Sequence, residues 1–249
     1  MKTVDHVVLI TGGGSGMGLA IAREFAARDN VVVIAGRNEE KLQRAAREVN
    51  GRNAVHAIRG DVTNETDVRA FLSYIDSEFG RLTILVNNAG VWPRYDLVDG
   101  SEIGETMREE VLINLFAPAN VTTLALPLLL RQPAAAVVNI SSILAYAGTP
   151  SAPLYSATKA ALHSFSRSLR TRLKKTPVRI FEVLPPLVDT GLAANFDAPK
   201  IQPEVVARTL MVALEKDRYE VRIGQTKALH VLSRISLTQA EKAVARATT

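Results

Sequence analysis

The chain of 249 residues contains no cysteine. That excludes a disulfide framework and a thiol nucleophile, and it fits a reducing compartment. Long apolar runs are missing as well. Val7 to Ile10 is only four residues long and is soon followed by glycines, too short for the core of a secretion signal. A later stretch, Leu124 to Leu130, is interrupted by Pro127 and ends at Arg131. On this reading nothing approaches the roughly 20 apolar residues of a membrane span, and a soluble, cytoplasmic protein is expected. Blocks of one charge sign are absent too. The 30 Lys plus Arg and 25 Asp plus Glu are scattered, leaving a formal net charge of +5. Such a pattern gives a nucleic-acid role little support, whereas a mildly basic surface suits a polyanionic small molecule.

With 47% hydrophobic and 22% charged residues, the chain can bury a sizeable core without metals or disulfides. Val- and Ile-rich runs at 7–10, 31–35, 54–58, 82–86, 135–140, 178–184 and 219–223 read as seven strands. They lack polar alternation, as strands of a parallel sheet covered on both faces do. Helical patterns lie between them at 17–28, 39–49, 64–79, 105–130, 155–174 and 203–216. Repeated strand–helix–strand order predicts an α/β fold, a doubly wound, mostly parallel seven-stranded sheet with helices on both faces. No repeat, low-complexity segment or linker interrupts it, so one domain over 1–249 is expected. At about 226–246 the apolar spacing predicts one amphipathic terminal helix. It would dock on its own domain or a sister subunit, or lie on a membrane surface through Lys227, Arg234, Lys242 and Arg246.

The first strand runs into Thr11-Gly12-Gly13-Gly14-Ser15-Gly16-Met17-Gly18 and then a helix. Glycines there let the backbone turn sharply and approach a pyrophosphate, and the helix start offers it free N–H groups. The second strand ends at Ala35-Gly36-Arg37-Asn38. A fold that prefers NAD usually carries a carboxylate at this point to hold the ribose hydroxyls. Here Arg37 can instead pair with a 2′-phosphate, which points to NADP(H); the other reading is a solvated arginine at the next helix start.

Together these residues resemble the short-chain dehydrogenase/reductase family. The glycine spacing at 12–18 is one mark; Asp61-Val62, Asn87-Asn88-Ala89-Gly90, Asn114, Ser142 and Tyr155-Ser-Ala-Thr-Lys159 follow in order. The resemblance covers roughly residues 5 to 225, and the segment Leu184 to Thr190 is most similar to oxidoreductases associated with D-alanine esterification of teichoic acids. It implies that Gly12, Ser15, Gly16, Met17 and Gly18 hold the pyrophosphate, with Arg37 and Asn38 at the adenosine ribose. It further implies that Asp61 and Val62 flank the adenine, and that Asn88, Ala89 and Gly90 line the ribose. Turn or helix capping is the competing reading for Asp61 and for the asparagines. Val188 and Thr190 match positions expected to touch the carboxamide. The family's usual Pro-Gly after strand six is Pro185-Pro186 here, which removes an N–H and fixes φ beside the cofactor.

Hydride transfer to a carbonyl leaves negative charge on oxygen, so a proton donor and hydrogen bonds to that oxygen are needed. Tyr155 and Lys159 are four residues apart on one helix face. A nearby ammonium, together with the positive ring of oxidised nicotinamide, favours the phenolate, so an acidified Tyr155 is expected as general acid and base. By family likeness Lys159 also binds the nicotinamide ribose, Ser142 orients the substrate oxygen, and Asn114 holds a water or carbonyl in a proton relay to Lys159. Ser141 is the alternative to Ser142, and a packed polar residue is the alternative for Asn114. The short 191–202 loop suggests an open pocket with little lid, lined by Trp92, Arg94 and Tyr146, with Arg94 read as a surface arginine or an attractor of an acidic substrate. Apolar surface including Val111, Leu112, Leu115, Phe116, Leu162 and Phe165 covers the sheet in part and by family likeness pairs subunits into a homodimer or homotetramer. The expected activity is NADP(H)-dependent interconversion of a small carbonyl compound and its alcohol. A non-catalytic NADP(H)-binding regulator or scaffold is the alternative.

Overall fold

Valine and isoleucine, stiff at χ1 and suited to a pleated surface, set the sheet. In the computed structural model, which describes residues 1–49, 51–95, 104–194 and 196–248, seven strands lie parallel. They are β1 (Val7–Thr11), β2 (Val31–Gly36), β3 (Val55–Arg59), β4 (Ile84–Asn87), β5 (Ala135–Ile140), β6 (Val178–Leu184) and β7 (Glu220–Arg222). Their order is β3-β2-β1-β4-β5-β6-β7, so the winding reverses between β1 and β4. There Val8 is paired with Val32 on one side and Ile84 on the other. A reversal of this kind leaves a crevice beyond the carboxyl ends of the strands, and the fold class is as the sequence predicts.

Alternate strand residues feed two cores. Val8, Ile10, Val32 and Ile34 pack with α1 (Gly16–Ala26) and α7 (Pro203–Glu215) on one face. Val7, Leu9, Val33 and Leu85 pack with α3 (Glu65–Phe79) and α5 (Ala117–Leu130) on the other. Local chemistry sets the helix ends. Asn38 Oδ1 accepts the Lys41 N–H ahead of α2 (Glu39–Glu48), Asn64 Oδ1 accepts those of Thr66 and Asp67 ahead of α3, and Gly80 ends α3 in the left-handed region.

Two expectations change. The long helix expected at 105–130 is α4 (Gly104–Val111) and α5, joined without a break by a π-helical turn, Leu112–Phe116. Pro127 lies inside α5 and does not end it, so the 104–130 stretch is long and apolar enough by length and composition to cross a membrane. Its Val121, Ala125 and Leu129 are instead buried among the strands and α3. The terminal helix expected at 226–246 is a pair, α8 (Thr226–Ile235) and α9 (Leu237–Thr248). Extended Ser236 separates them, and its hydroxyl accepts the Gln239 N–H in the manner of an N-cap. Leu229, Ala240 and Val244 turn inward onto Leu144, Ala147 and Tyr155, so the pair docks on its own domain.

Candidate active site

Backbone closeness decides the glycine turn. Gly12 (φ +67°) and Gly16 (φ +53°) occupy the left-handed region. A Cβ on Gly12 would stand 2.9 Å from Ala89 Cα, and one on Gly18 2.3 Å from the Gly12 oxygen. Asn88 fastens the turn to β4, its amide donating to the Thr11 and Gly12 carbonyls at 3.0 and 3.1 Å. Thr11 Oγ1 in turn accepts the N–H groups of Asn88 and Ala89. The Ser15 side chain takes no part in capping α1, and the first turn of α1 holds no acidic residue. An exposed Ser15 at the start of α1, behind closely approaching glycines, is the setting that suits a pyrophosphate.

At the far end of the crevice, the Arg37 guanidinium donates to Glu109 Oε1 at 2.9 Å, and both side chains are more than half exposed. Asn38 spends its side chain on the α2 cap. Asp61 Oδ1 accepts both the N–H and the hydroxyl of Thr63, which is the turn-capping arrangement, and Val62 is buried beside it.

Tyr155 and Lys159 lie one turn apart on α6 (Pro153–Arg172), with Lys159 Nζ 5.5 Å from the Tyr155 ring centre and donating to the Ile140 carbonyl at 3.0 Å. Ser142, just past β5, accepts the Leu144 N–H through its hydroxyl and neighbours the phenol. Ser141 Oγ instead points at the backbone of α6, 3.3 Å from the Lys159 oxygen. Ser142 rather than Ser141 therefore stands beside Tyr155. Burial pushes the phenol well above the ordinary tyrosine range, opposed by the Ser142 hydroxyl. Burial also pulls the Lys159 ammonium down to about 8 against the pull of Glu182 and Glu110. Burial thus works against the acidification that the ammonium and the positive nicotinamide ring are expected to bring.

Asn114 sits in the π turn and clasps Val91, accepting its N–H at 2.9 Å and donating to its oxygen at 2.8 Å. The side chain is spent on that loop. A Cβ on Gly90 would lie 3.2 Å from Asn114 Oδ1 and 3.9 Å from Lys159 Nζ, so Gly90 separates the two groups.

A cavity of about 300 Å³ opens in front of Ser142 and Tyr155, and Met17, Pro185, Pro186, Val188 and Thr190 form its floor. Pro185 keeps a backbone role, its oxygen accepting the Ile143 N–H. The 191–202 segment is not an open rim. Val188 and Ile201 bridge at its base, and Phe196 lies on the Trp92 indole at 4.2 Å. The indole in turn lies on the Tyr155 ring, and the Arg94 guanidinium stands 4.6 Å from the Phe196 ring centre. Tyr146 does not line the cavity. Its hydroxyl accepts from Arg222 Nε, and its ring packs against His163 and His230.

Several neighbours gave no sign in the sequence. Val244 and Arg246 of α9 reach the cavity. Two buried carboxylates act electrostatically on Lys159. Glu110 accepts the Tyr95 hydroxyl at 2.7 Å and is pushed up by burial, and Glu182 meets His163 Nδ1 at 2.7 Å. A charged side chain reads as surface unless its partner is known.

The switch-point crevice, the glycine cradle and the Ser–Tyr–Lys cluster define a dinucleotide-binding oxidoreductase architecture. The family model "short chain dehydrogenase" matches residues 6–200, and the chain belongs to that family. The "uncharacterized oxidoreductase DltE" of Bacillus subtilis (strain 168) is 39% identical over 192 residues, 77% of this chain and 75% of its own, in line with the likeness of segment 184–190. A short chain dehydrogenase from Burkholderia cenocepacia J2315 in complex with NADP superposes with a TM-score of 0.85 at 28% identity, covering all of both chains. A short chain dehydrogenase/reductase from Burkholderia phymatum in complex with NAD has a TM-score of 0.86, covering 100% of this chain and 98% of its own. At 24% identity it shares the fold.

Proposed function

We propose that the chain is an NADP(H)-dependent oxidoreductase that interconverts a carbonyl compound and its alcohol, with Tyr155 as proton donor and acceptor. The observation that carries this reading is the meeting of Ser142 and Tyr155 in the wall of one cavity, with Lys159 a helical turn behind the phenol. When bound, the dinucleotide supplies or accepts the hydride. The Ser142 hydroxyl holds the substrate oxygen, and Tyr155 Oη passes it a proton as it becomes an alcohol. Lys159, pulled down to about 8, exchanges protons near neutrality and can restore the phenol. The cradle of Gly12, Gly16 and Gly18, with Ser15 and Met17, takes the pyrophosphate. Asn88, Ala89 and Gly90 border the ribose; Asp61 and Val62 border the adenine; Pro185, Val188 and Thr190 face the carboxamide. Arg37 gives the preference for NADP, supported by the absence of a carboxylate at the end of β2. Its exposed pair with Glu109 is worth about 0–1 kcal/mol and yields readily to a phosphate. Asn114 acts by fixing the Val91 loop next to Gly90.

A panel of aldehydes, ketones and hydroxy compounds, followed by NADPH absorbance, tests the proposal. Turnover of at least one carbonyl class is expected. Tight NADPH binding without turnover of any would replace the enzyme by a cofactor-binding regulator.

A further inference from the structure

Part of the cavity wall is built by α9 and the 191–202 segment. Val244 of α9 is buried in one apolar cluster with Leu144, Ala147, Leu229 and Tyr155, and Trp92 packs against the same cluster. Leu192 and Leu187 close the other side. Apart from charged groups, the polar side chains in this wall are Ser141, Thr190 and the exposed Gln225. Ser141 is spent on α6, and Thr190 Oγ1 reaches the Val188 oxygen at 3.5 Å. The charged side chains on the cavity, Asp197 and Arg246, are exposed and of opposite sign. A substrate hydroxyl placed deep in this space would lose water and gain no partner, which lowers binding by roughly tenfold for each such group. An alkyl or aryl body would instead gain about three- to fourfold for every methylene buried.

Resting on the proposed activity, we infer that the substrate is a carbonyl compound with an apolar body, an alkyl or aryl aldehyde or ketone rather than a sugar. We further infer that α9, through Val244, is its specificity wall. The carbonyl lies at Ser142 and Tyr155, and the apolar body runs between Trp92, Leu192 and Val244. The cavity is at the small end of the range for small-molecule sites, and the nicotinamide shares it, so the gain with chain length stops at a definite length.

Two readouts keep this inference separate from the activity it rests on. Reduction of butanal, hexanal, octanal and a hexose by the NADPH-loaded enzyme reads kcat/KM. Binding of butanamide, hexanamide and octanamide, carbonyl compounds resistant to hydride reduction, is read from the fluorescence of Trp92, the sole tryptophan of the chain. Both series are expected to rise about threefold per methylene up to a limit, with the hexose far below the aldehydes. Val244→Asp flattens both slopes, and Val244→Phe, which keeps the wall apolar but takes space, moves the limit to a shorter chain. Val231→Asp on the exposed side of α8 leaves the slopes unchanged. Flat or falling slopes in the unmodified protein, a preferred hexose, or slopes indifferent to both Val244 variants would overturn the inference. Amide binding that rises with length while no aldehyde is reduced would uphold the apolar site and refute the activity.

Discussion

The indole of Trp92 lies flat on the phenol of Tyr155, ring centres 4.6 Å apart and planes 9° from parallel. This contact helps to bury the phenol, which is 7% exposed, and burial pushes its pKa up. Trp92→Ala should open the phenol to water and move its titration down toward the ordinary tyrosine range. Ultraviolet titration of the variant, with and without Tyr155→Phe, isolates that step. The same change should cost about 2–3 kcal/mol of stability, read from the urea midpoint, because a large stacked ring is lost.

Arg37 pairs with Glu109, and the two make opposite predictions. Arg37→Ala should raise KM for NADPH by about 10- to 100-fold, as loss of a charge-assisted pair does, and leave KM for NADH nearly unchanged. Glu109→Gln removes a negative charge from beside the phosphate position and should lower KM for NADPH severalfold. Initial rates with both cofactors check each.

Lys159 is buried, and its pKa is lowered from 10.5 to about 8. Below pH 8 the folded protein must hold a buried ammonium that the unfolded chain holds in water, so the residue is a cost there. Between about 8 and 10.5 the folded protein has released a proton that the unfolded chain keeps, and the cost fades as pH rises. Lys159→Met should therefore be more stable than the parent near pH 7, by roughly 1–3 kcal/mol, while losing activity. The advantage should shrink between pH 8 and pH 10. Thermal melts across that range test the sign.

Phe116, Leu112 and Val111 lie together at the π turn with a third to a half of their surface exposed. Exposed apolar residues within one turn or so of a packed helix suit a subunit interface. We expect a dimer or tetramer by light scattering, and Phe116→Asp should shift it to a smaller species. A monomer in the parent protein would contradict this.

Much of the fold is legible because the signals are local. Val- and Ile-rich runs, sparser in β3 and β7, mark every strand to within about two residues, and Asn38, Asn64 and Gly80 mark helix ends with side-chain or backbone chemistry of their own. The glycine turn is legible for the same reason. What depends on distant partners is not. The apolar spacing from 228 to 244 runs through Ser236 without a gap, so one helix and two give the same pattern. Leu112–Phe116 holds no residue that demands an extra residue in the hydrogen-bonded turn. Tyr146 faces Arg222, Phe196 covers Trp92, and Glu110 and Glu182 lie beneath Lys159 only because separate elements meet there. For the same reason the burial of the phenol is not legible: four-residue spacing places the ammonium, while the Trp92 ring that covers Tyr155 comes from a loop elsewhere in the chain.

The central claim is that the Tyr155 hydroxyl carries the proton of the reaction. Tyr155→Phe keeps the ring against Trp92 and removes one oxygen. With any carbonyl compound that the parent reduces, the variant should bind NADPH as tightly as the parent, by calorimetric titration. It should lose about 10²- to 10⁴-fold in kcat, the usual contribution of a positioned acid. A variant that binds NADPH normally and turns over within a few fold of the parent would contradict the account.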